Sequence, residues 1–380
     1  MELPSYFKDF LTNIRPGQTL RDQYKAAHND LRAKLLADEK LGPMIHAMFL
    51  QGSYRRATAI KPHANKKADV DLVLVTYMCE EDYPDPKMAQ AEFYDFLNEH
   101  YPGQWEPQGR SLSIVVGDVD LDMVITAAPS LQTQEVLKSA RFADDSTLED
   151  LDEWPESLNL VKFSTDLFSK VLQRSAEGNN DWMLEPLRIP DRDAQCWRDT
   201  HPLAQLAWTW NKNRLTGGHY INVVKALKWW RRVNHPTPKY PKGYPVEHVI
   251  GVCCPDGIPS IADGVTLTLE AIVTRYGYDA ALKQTPVLPD HGVPEHNVFL
   301  RVTGEDFAEF YEQVKAAALV ARRALDATTI KESADAWREL FGDEFPEAPA
   351  EASDSRSPSP NKGGFIIPDR PARPQPEHYA

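Results

Sequence analysis

The stretch that decides the fold is Phe49–Thr76, FLQGSYRRATAIKPHANKKADVDLVLVT, in which two apolar runs flank a basic linker. The first run ends in Gly52-Ser53, and the second carries Asp69 and Asp71 at alternate positions. Successive side chains of a strand point to opposite faces, so these two aspartates share one face. The apolar residues around them are typical of a strand that is buried on both sides.

The paired aspartates favour a metal site, because two neighbouring carboxylates repel each other unless a cation lies between them. Magnesium takes oxygen ligands and completes its shell with water and substrate phosphates. Gly52 and Ser53 complement such an ion, since they offer a closely approaching backbone with N–H and hydroxyl donors for a phosphate. Each signal alone is also typical of a loop cap or an ordinary turn. The combination predicts a site for a metal-bound nucleoside triphosphate, provided that a third carboxylate is present.

A predicted hairpin supplies that third carboxylate. Gly117-Asp118 favours a two-residue turn between a strand at Ser111–Val116 and a returning strand at Val119–Thr126, VDLDMVIT. Asp120 and Asp122 share one face of the returning strand. Asp122 precedes an apolar run where the strand enters the core, so we predict it as the third metal ligand. We expect Asp120 to be an exposed edge residue.

Length and composition limit the class of protein. The chain has 380 residues, of which 42% are hydrophobic, so it can form two lobes with sizeable cores. It has no apolar stretch of membrane-spanning length and begins without a signal-peptide pattern, which predicts a cytoplasmic location. Its four cysteines have neither disulfide nor zinc-site spacing. The net charge of −14 argues against a general duplex-DNA-binding protein, although it permits a locally basic pocket.

The rest of the chain is predicted to be largely helical. Residues Pro129–Asp199 show no strong periodicity, and we interpret them as a long insertion with short helices. Apolar periodicity elsewhere predicts helices at Ser5–Ile14, Thr19–Glu39, Lys87–His100, Pro202–Arg214, Tyr220–Asn234, Pro245–Cys253, Ile261–Tyr276, Gly304–Leu325 and Lys331–Phe341.

The helix at Tyr220–Asn234, YINVVKALKWWRRVN, carries four basic residues beside its apolar stripe. Lys225 and Lys228 neighbour each other across one turn, where a lysine beside a triphosphate cleft can bind phosphate as a point charge. A solvated basic face is the alternative. That alternative is the one we expect for Arg231 and Arg232.

The composition changes abruptly after Phe345, and the remaining residues are rich in Pro, Ser, Ala and charge. Such a segment buries too little apolar surface to offset its ordering entropy, so a mobile tail is predicted. The predicted organisation is a catalytic lobe at 1–199 with the N-terminal helices, a helical lobe at 200–345 and a flexible tail at 346–380.

These motifs together resemble the cGAS/DncV-like nucleotidyltransferases (CD-NTases) of bacterial CBASS anti-phage defence. The similarity extends over nearly the whole chain and is greatest to the clade D enzymes. It is carried by LQGSYRRATAIKP, by DVDLVLV with Asp69 and Asp71, and by LDMVITA with Asp122. The segments LKWW, PKYPKGYPVEHVI, LPDHGVPEHNVFLRVT and WRELFGDEFP extend it into the second half of the chain.

The resemblance implies a bilobed α+β fold like that of polymerase β, with a mixed twisted sheet and flanking helices beside a helical lobe. It implies two Mg²⁺ ions held by Asp69, Asp71 and Asp122. It also implies that Tyr244 stacks on a base and Lys228 contacts the donor triphosphate. The full set of nucleotide contacts expected from the motifs is Gln51, Gly52, Ser53, Arg56, Lys61, Lys225, Lys228 and Tyr244.

Three departures from the family pattern narrow these expectations. Gly243 stands where a serine often precedes the stacking tyrosine, which removes one donor contact. The segment LPDHGV lacks the usual proline after its aspartate, so Asp290 is expected to have a structural role. The zinc-binding insertion of the animal DNA sensor is missing from the sequence, and activation by duplex DNA is therefore not expected.

The resemblance implies that the protein is a cyclic oligonucleotide synthase that uses ATP and GTP. The implied product is a cyclic trinucleotide such as cyclic AMP-AMP-GMP, which would act on a downstream effector. In CBASS operons with ubiquitin-transfer-like partners, the resemblance further implies that an E1/E2-like protein joins the C-terminus to other molecules. Ala380 would be the point of attachment, with an unattached remnant as the alternative. Two other functions remain open, namely a template-independent RNA nucleotidyltransferase and a catalytically inactive binding module.

Overall fold

The structure is a computed structural model that describes residues 1–62, 67–128, 130, 185–236 and 240–349. Its architecture is the predicted α+β fold, in which a mixed sheet with flanking helices lies beside a helical bundle. The strands are β1 (Ile45–Gln51), β2 (Ala68–Thr76), β3 (Trp105–Pro107), β4 (Leu112–Val116), β5 (Val119–Ala127), β6 (Leu187–Asp191) and β7 (Cys196–Thr200).

The helices flank this sheet and form the second half of the described chain. They are α1 (Pro4–Ile14), α2 (Gln18–Ala37), α3 (Gly52–Arg55), α4 (Pro86–Ala91), α5 (Tyr94–His100), α6 (Pro202–Leu215), α7 (Tyr220–Asn234), α8 (Tyr244–Cys253), α9 (Ile261–Ala281), α10 (Gly304–Asp326) and α11 (Ile330–Phe341). Short 3-10 segments lie at Gly42–Met44 and Gly342–Glu344.

The sheet order is β1-β2-β5-β4-β3, with β6 added beside β5 and β7 beside β6. The β2 and β5 strands are parallel, whereas the other pairs are antiparallel. In the parallel pair Asp69 is opposite Asp120 and Asp71 is opposite Asp122. This register places the aspartates of the two strands side by side.

Two main hydrophobic cores hold the chain together. One lies under the sheet and contains the apolar positions of β1, β2, β4 and β5 together with residues of α2 and α5. The other joins α7 through α11, and α1 packs inside it through Phe7, Phe10 and Ile14. The first helix, which the sequence analysis grouped with the catalytic lobe, therefore packs against the helical core. The proposed division at residue 199 stays a prediction.

Three expectations about local structure were wrong. The single helix expected at Lys87–His100 is two helices, because α4 ends at Ala91 and α5 starts at Tyr94. The expected helical insertion contains the β6-β7 hairpin in its last part, while residues 131–184 lie outside the described part of the chain. Asp120 is not on an edge, since β5 is paired on both sides by β2 and β4.

Within the described residues, no helix is long and apolar enough to cross a membrane. Gly217 and Gly218 separate α6 from α7, and they adopt positive φ angles of 63° and 88°. The segment predicted as a tail lies outside the described residues from position 350 onward.

Candidate active site

The three predicted carboxylates meet at one point of the sheet. Asp69, Asp71 and Asp122 each present an oxygen, and these atoms all lie within 4.8 Å of one another. The alternation along β2 puts Asp69 and Asp71 on one face, and the parallel register brings Asp122 beside them. Asp120 is outside this set of atoms, although its charge still acts on Asp69.

The cluster is electrostatically unfavourable without a cation. Removal from water, followed by repulsion from Asp69 and Asp122, raises the pKa of Asp71 to about 8. Partial desolvation by the surrounding protein, followed by repulsion from Asp122 and Asp120, raises the pKa of Asp69 to about 6, even though this residue is exposed. Desolvation also raises the pKa of Asp122, although hydrogen bonds with Ser113 and Ser111 oppose that change. A divalent cation would relieve this repulsion, so the donor set fits the predicted magnesium site.

The Gly-Ser element approaches these acids closely. Gly52 begins α3 with a φ of 74°, a conformation that glycine adopts without strain. A Cβ atom built on Gly52 would lie 1.8 Å from Oδ2 of Asp71, so a larger residue has no room there. Gln51 is paired with Asp71 across β1 and β2. The backbone turn and the metal-site carboxylate are therefore in direct contact.

A cleft of about 960 Å³ runs from the acids to the helical bundle. Gln51, Gly52 and Ser53 line it together with all three carboxylates. Lysines and arginines also line the cleft, namely Arg56, Lys67, Arg110, Lys228, Arg231, Arg232 and Lys242. The cleft thus combines a cation-binding end with a surface suited to polyphosphate, in a chain whose net charge is −14.

Lys228 reaches this cleft from α7. Its Nζ donates to the carbonyl of Thr58 at 3.0 Å and to Oε1 of Glu247 at 2.7 Å. Arg56 donates from Nε to Oε2 of the same glutamate at 3.1 Å. Lys228 also acts on Asp69, whose pKa it lowers against the larger effect of desolvation. The lysine lies where the sequence analysis expected a triphosphate contact, and its role remains a prediction.

Tyr244 begins α8 and lines the same cleft. Arg56 lies over its ring, with the guanidinium carbon 5.0 Å from the ring centroid. Burial raises the pKa of the Tyr244 hydroxyl, and Asp290 contributes to that change through its charge. Stacking on a base remains a prediction for this ring.

Asp290 has the structural surroundings expected of it. Its carboxylate accepts backbone N–H bonds from Gly292 at 2.7 Å and Val293 at 3.1 Å, and it also accepts from Gln205 at 3.1 Å. These bonds fix the loop that follows residue 288.

Two predicted nucleotide contacts do not line the cleft among the described residues. Lys61 forms an ion pair with Glu344 at 2.6 Å and lies over the ring of Trp229. Lys225 is buried, with 3% of its surface exposed. Lys61 is half-buried in its ion pair, and a nucleotide-binding role for these two lysines stays a prediction.

The solvated basic face expected for Arg231 and Arg232 was also wrong. Arg231 is 6% exposed and lies over the ring of Phe310 at 4.8 Å. Arg232 is half-buried and donates to the backbone carbonyl of Lys61. Both arginines line the cleft.

Sequence analysis missed Glu247, which accepts hydrogen bonds from two cations of the cleft, Arg56 and Lys228. The one available signal was an acidic residue within the apolar helical segment YPVEHVIGVC, which is typical of a buried and paired charge. Arg110 was missed as well. It is held at the rim by Asp191, whose Oδ2 accepts from its Nε at 2.7 Å.

The fold and the acid cluster define a nucleotidyltransferase, and comparison with protein families agrees. Residues 1–150 match the Second Messenger Oligonucleotide or Dinucleotide Synthetase domain, a span that contains all three carboxylates. A "Probable cyclic AMP-AMP-GMP nucleotide synthase" from Salmonella paratyphi B is 42% identical, over 99% of this chain and 98% of that protein. A "Cyclic AMP-AMP-GMP synthase" from Enterobacter hormaechei is 41% identical, again over 99% of this chain and 98% of that protein. A "Cyclic AMP-AMP-AMP synthase" from an Acinetobacter species is 27% identical over 93% of this chain and 88% of that protein.

The chain therefore belongs to the cGAS/DncV-like nucleotidyltransferases of CBASS defence, the family of cyclic oligonucleotide second-messenger synthases. Solved structures agree on the fold. The Bradyrhizobium diazoefficiens CD-NTase CdnG in complex with GTP has a TM-score of 0.63 at 12% identity, covering 89% of this chain and 94% of that one. The E. coli MS115-1 CdnC:HORMA-deltaN complex has a TM-score of 0.59 at 15% identity, covering 91% of this chain and 99% of that one.

Proposed function

We propose that this protein makes cyclic AMP-AMP-GMP from ATP and GTP. The observation that carries the proposal is the full-length identity of 42% and 41% to two proteins that bear this name. The relative named for an all-adenylate product is more distant, at 27% identity. The acid cluster and the basic cleft provide the parts that such a synthesis requires.

The proposed metal ligands are Asp69, Asp71 and Asp122, which would hold two Mg²⁺ ions. When bound, magnesium lowers the pKa of an attacking hydroxyl and neutralises charge on the leaving phosphates. Asp122 is the proposed acceptor of the proton from the attacking 3′-hydroxyl.

The proposed donor site is formed by Gly52, Ser53 and Lys228. The Ser53 hydroxyl and the Lys228 ammonium would bind the β- and γ-phosphates and keep the leaving group in line with the attacking oxygen. In each step the 3′-oxygen of one nucleotide forms a bond to the α-phosphorus of another. The bond between that phosphorus and the bridging oxygen breaks, and pyrophosphate leaves. A third step of the same kind closes the ring.

The test is incubation with Mg²⁺ and α-³²P-labelled ATP and GTP, followed by phosphatase treatment and chromatography. A labelled, phosphatase-resistant species with two adenylates and one guanylate is expected, and an Asp71→Asn variant serves as the inactive control. A ring of adenylate alone would contradict the proposed product. Linear products with phosphatase-sensitive ends would favour an RNA nucleotidyltransferase instead. No product from folded protein under any nucleotide mixture would favour an inactive binding module.

The proposed regulatory partner is an E1/E2-like protein that joins the carboxyl group of Ala380 to another molecule. This rests on the family resemblance, and Ala380 lies outside the described residues. The structural neighbour CdnC forms a complex with HORMA-deltaN, so a HORMA-type regulator is the competing proposal. Incubating the protein with either candidate partner distinguishes the two, since only the first leaves a covalent adduct that survives denaturing electrophoresis.

A further inference from the structure

Glu247 joins the catalytic lobe to the helical bundle beside the cleft. It lies in the first turn of α8 and is 3% exposed. Its carboxylate accepts from Arg56 at 3.1 Å, from the Thr58 hydroxyl at 2.9 Å and from Lys228 at 2.7 Å. Arg56 and Thr58 follow the Gly-Ser element, whereas Lys228 belongs to α7. One buried carboxylate therefore bonds both sides of the cleft.

The charges of this group leave a positive surplus. Burial alone would raise the pKa of Glu247, but the charges of Arg56 and Lys228 outweigh that effect and lower it to about 2. The glutamate is therefore ionised throughout the physiological range. The three charged side chains carry a net charge of about +1, since two cations share one carboxylate. That surplus lies along the same cleft as the three carboxylates.

The hydrogen bonds also orient the cations. An ammonium group has three N–H donors. The structure describes two acceptors for Lys228, the carboxylate of Glu247 and the carbonyl of Thr58. With those two directions fixed, the third donor has a defined direction. The Lys228 side chain retains 16% exposure, against 4% for Glu247, and it lines the cleft.

We propose that Glu247 is a positioning residue for the donor triphosphate, acting by holding Lys228 and Arg56 in fixed orientations at the boundary between the lobes. The proposal rests on the proposed function, because it assumes that a nucleoside triphosphate is the ligand of this side of the cleft. In this proposal Glu247 acts through the two cations and makes no bond of its own to the substrate. It determines where two cations point, and thereby whether the leaving phosphates are held in line.

The test is the Glu247→Gln variant, which keeps the shape of the side chain and removes its charge. Glutamine leaves a net charge of about +2 at this group, so attraction for a triphosphate is retained while the orientation of the cations is lost. We expect kcat to fall by about tenfold or more, whereas the Kd of a non-hydrolysable ATP analogue changes by less than about threefold. Affinity and turnover are thus expected to separate.

The matched control is Glu270→Gln. Glu270 on α9 forms a two-bond pair with Arg322 on α10, with both distances 2.8 Å, and it does not line the cleft among the described residues. Both variants are compared at a temperature where circular dichroism and thermal unfolding show them to be folded. We expect Glu270→Gln to retain wild-type kcat within about twofold.

Two results would overturn the proposal. If folded Glu247→Gln retains kcat within about twofold of wild type, the glutamate only stabilises the lobe contact. If Kd rises in parallel with the fall in kcat, the glutamate preserves the binding site as a whole and does not orient it. Failure of the proposed function would look different, because the wild type would then make no cyclic product while the binding measurement on the ATP analogue could still be completed.

Discussion

Replacing Asp71 with asparagine should abolish synthesis and stabilise the metal-free protein. The folded-state pKa of Asp71 is raised to about 8 from the ordinary value of 3.8. The folded protein therefore binds more protons than the unfolded chain between these values, and the free energy of unfolding falls as the pH rises through this window. Asparagine carries no charge, so the variant does not experience that loss.

The size of the effect follows from proton linkage. Stability changes by about 1.36 kcal/mol per pH unit for each proton by which the two states differ. Between about pH 5 and about pH 8, a single carboxyl with the pKa of Asp71 would lose about 4 kcal/mol, which is an upper limit. The nearby Asp69 and Asp122 share the same protons, and Arg56 partly offsets the charge. We expect the advantage of the variant to grow by about 1 kcal/mol or more over this range, which corresponds to a rise in relative Tm of about 1 to 5 °C.

The assay is thermal unfolding in EDTA at about pH 5 and about pH 8, with Asp118→Asn as the control. Asp118 is exposed in the turn between β4 and β5, so its replacement should leave Tm unchanged at both pH values. Adding Mg²⁺ at the higher pH should reverse the order, because the wild type gains stability from binding and the variant gains little. A lower Tm for Asp71→Asn than for wild type at about pH 8 in EDTA would refute the argument, as would a difference that does not grow with pH.

Three further predictions concern the rest of the site and the C-terminus. Gly52→Ala should reduce synthesis by about a hundredfold or more, because its Cβ would lie 1.8 Å from Asp71 Oδ2 and its φ of 74° disfavours alanine; wild-type turnover would show that the turn does not need glycine. Lys228→Met should raise the Kd of a triphosphate analogue by about tenfold. Lys225→Met should lower Tm and change that Kd less, since Lys225 is 3% exposed. If titration calorimetry gives the larger rise in Kd for Lys225→Met, the phosphate contact belongs to the other turn of α7. Deleting residues 350–380 should leave basal synthesis and Tm unchanged while preventing covalent attachment by an E1/E2-like partner, and an adduct on the truncated protein in a denaturing gel would contradict the proposed role of Ala380.

The part of the site that could be predicted from sequence is the part that depends on local periodicity. Asp69 and Asp71 share a face because strand geometry repeats every two residues, and Asp122 follows from a hairpin with a recognisable turn. Their meeting within 4.8 Å also required that β2 and β5 be parallel neighbours. The motif resemblance implied that arrangement, whereas periodicity alone did not.

The parts that sequence could not supply depend on partners far away in the chain. Lys61 appeared to be a cleft cation, but its partner Glu344 lies 283 residues further on. Glu247 is bonded to Arg56 across 191 residues. The β6 strand was missed because Pro129–Asp199 shows no strong periodicity, and Pro190 lies within the strand, where a proline is unusual. Here Pro190 is opposite Trp197 in a short hairpin that joins the sheet through a single register pair.

The distribution of charge explains why an acidic protein can still bind a polyphosphate. The acids that repel one another are gathered on β2 and β5, where the raised pKa values of Asp69 and Asp71 show that negative charge is costly without a cation. Cations also line the cleft, and Glu247 neutralises only part of the charge of Arg56 and Lys228. A magnesium-bound triphosphate carries both charge types, with the metal at one end and free phosphate oxygens at the other. It can therefore neutralise the carboxylates and the cations at the same time, whereas neither free magnesium nor a free triphosphate does.

This arrangement of charges predicts that metal and nucleotide bind with positive coupling. The Kd of an ATP analogue should be lower with Mg²⁺ than in EDTA, and Asp71→Asn should remove most of that difference. An equal Kd in the two conditions for the wild type would contradict the coupling.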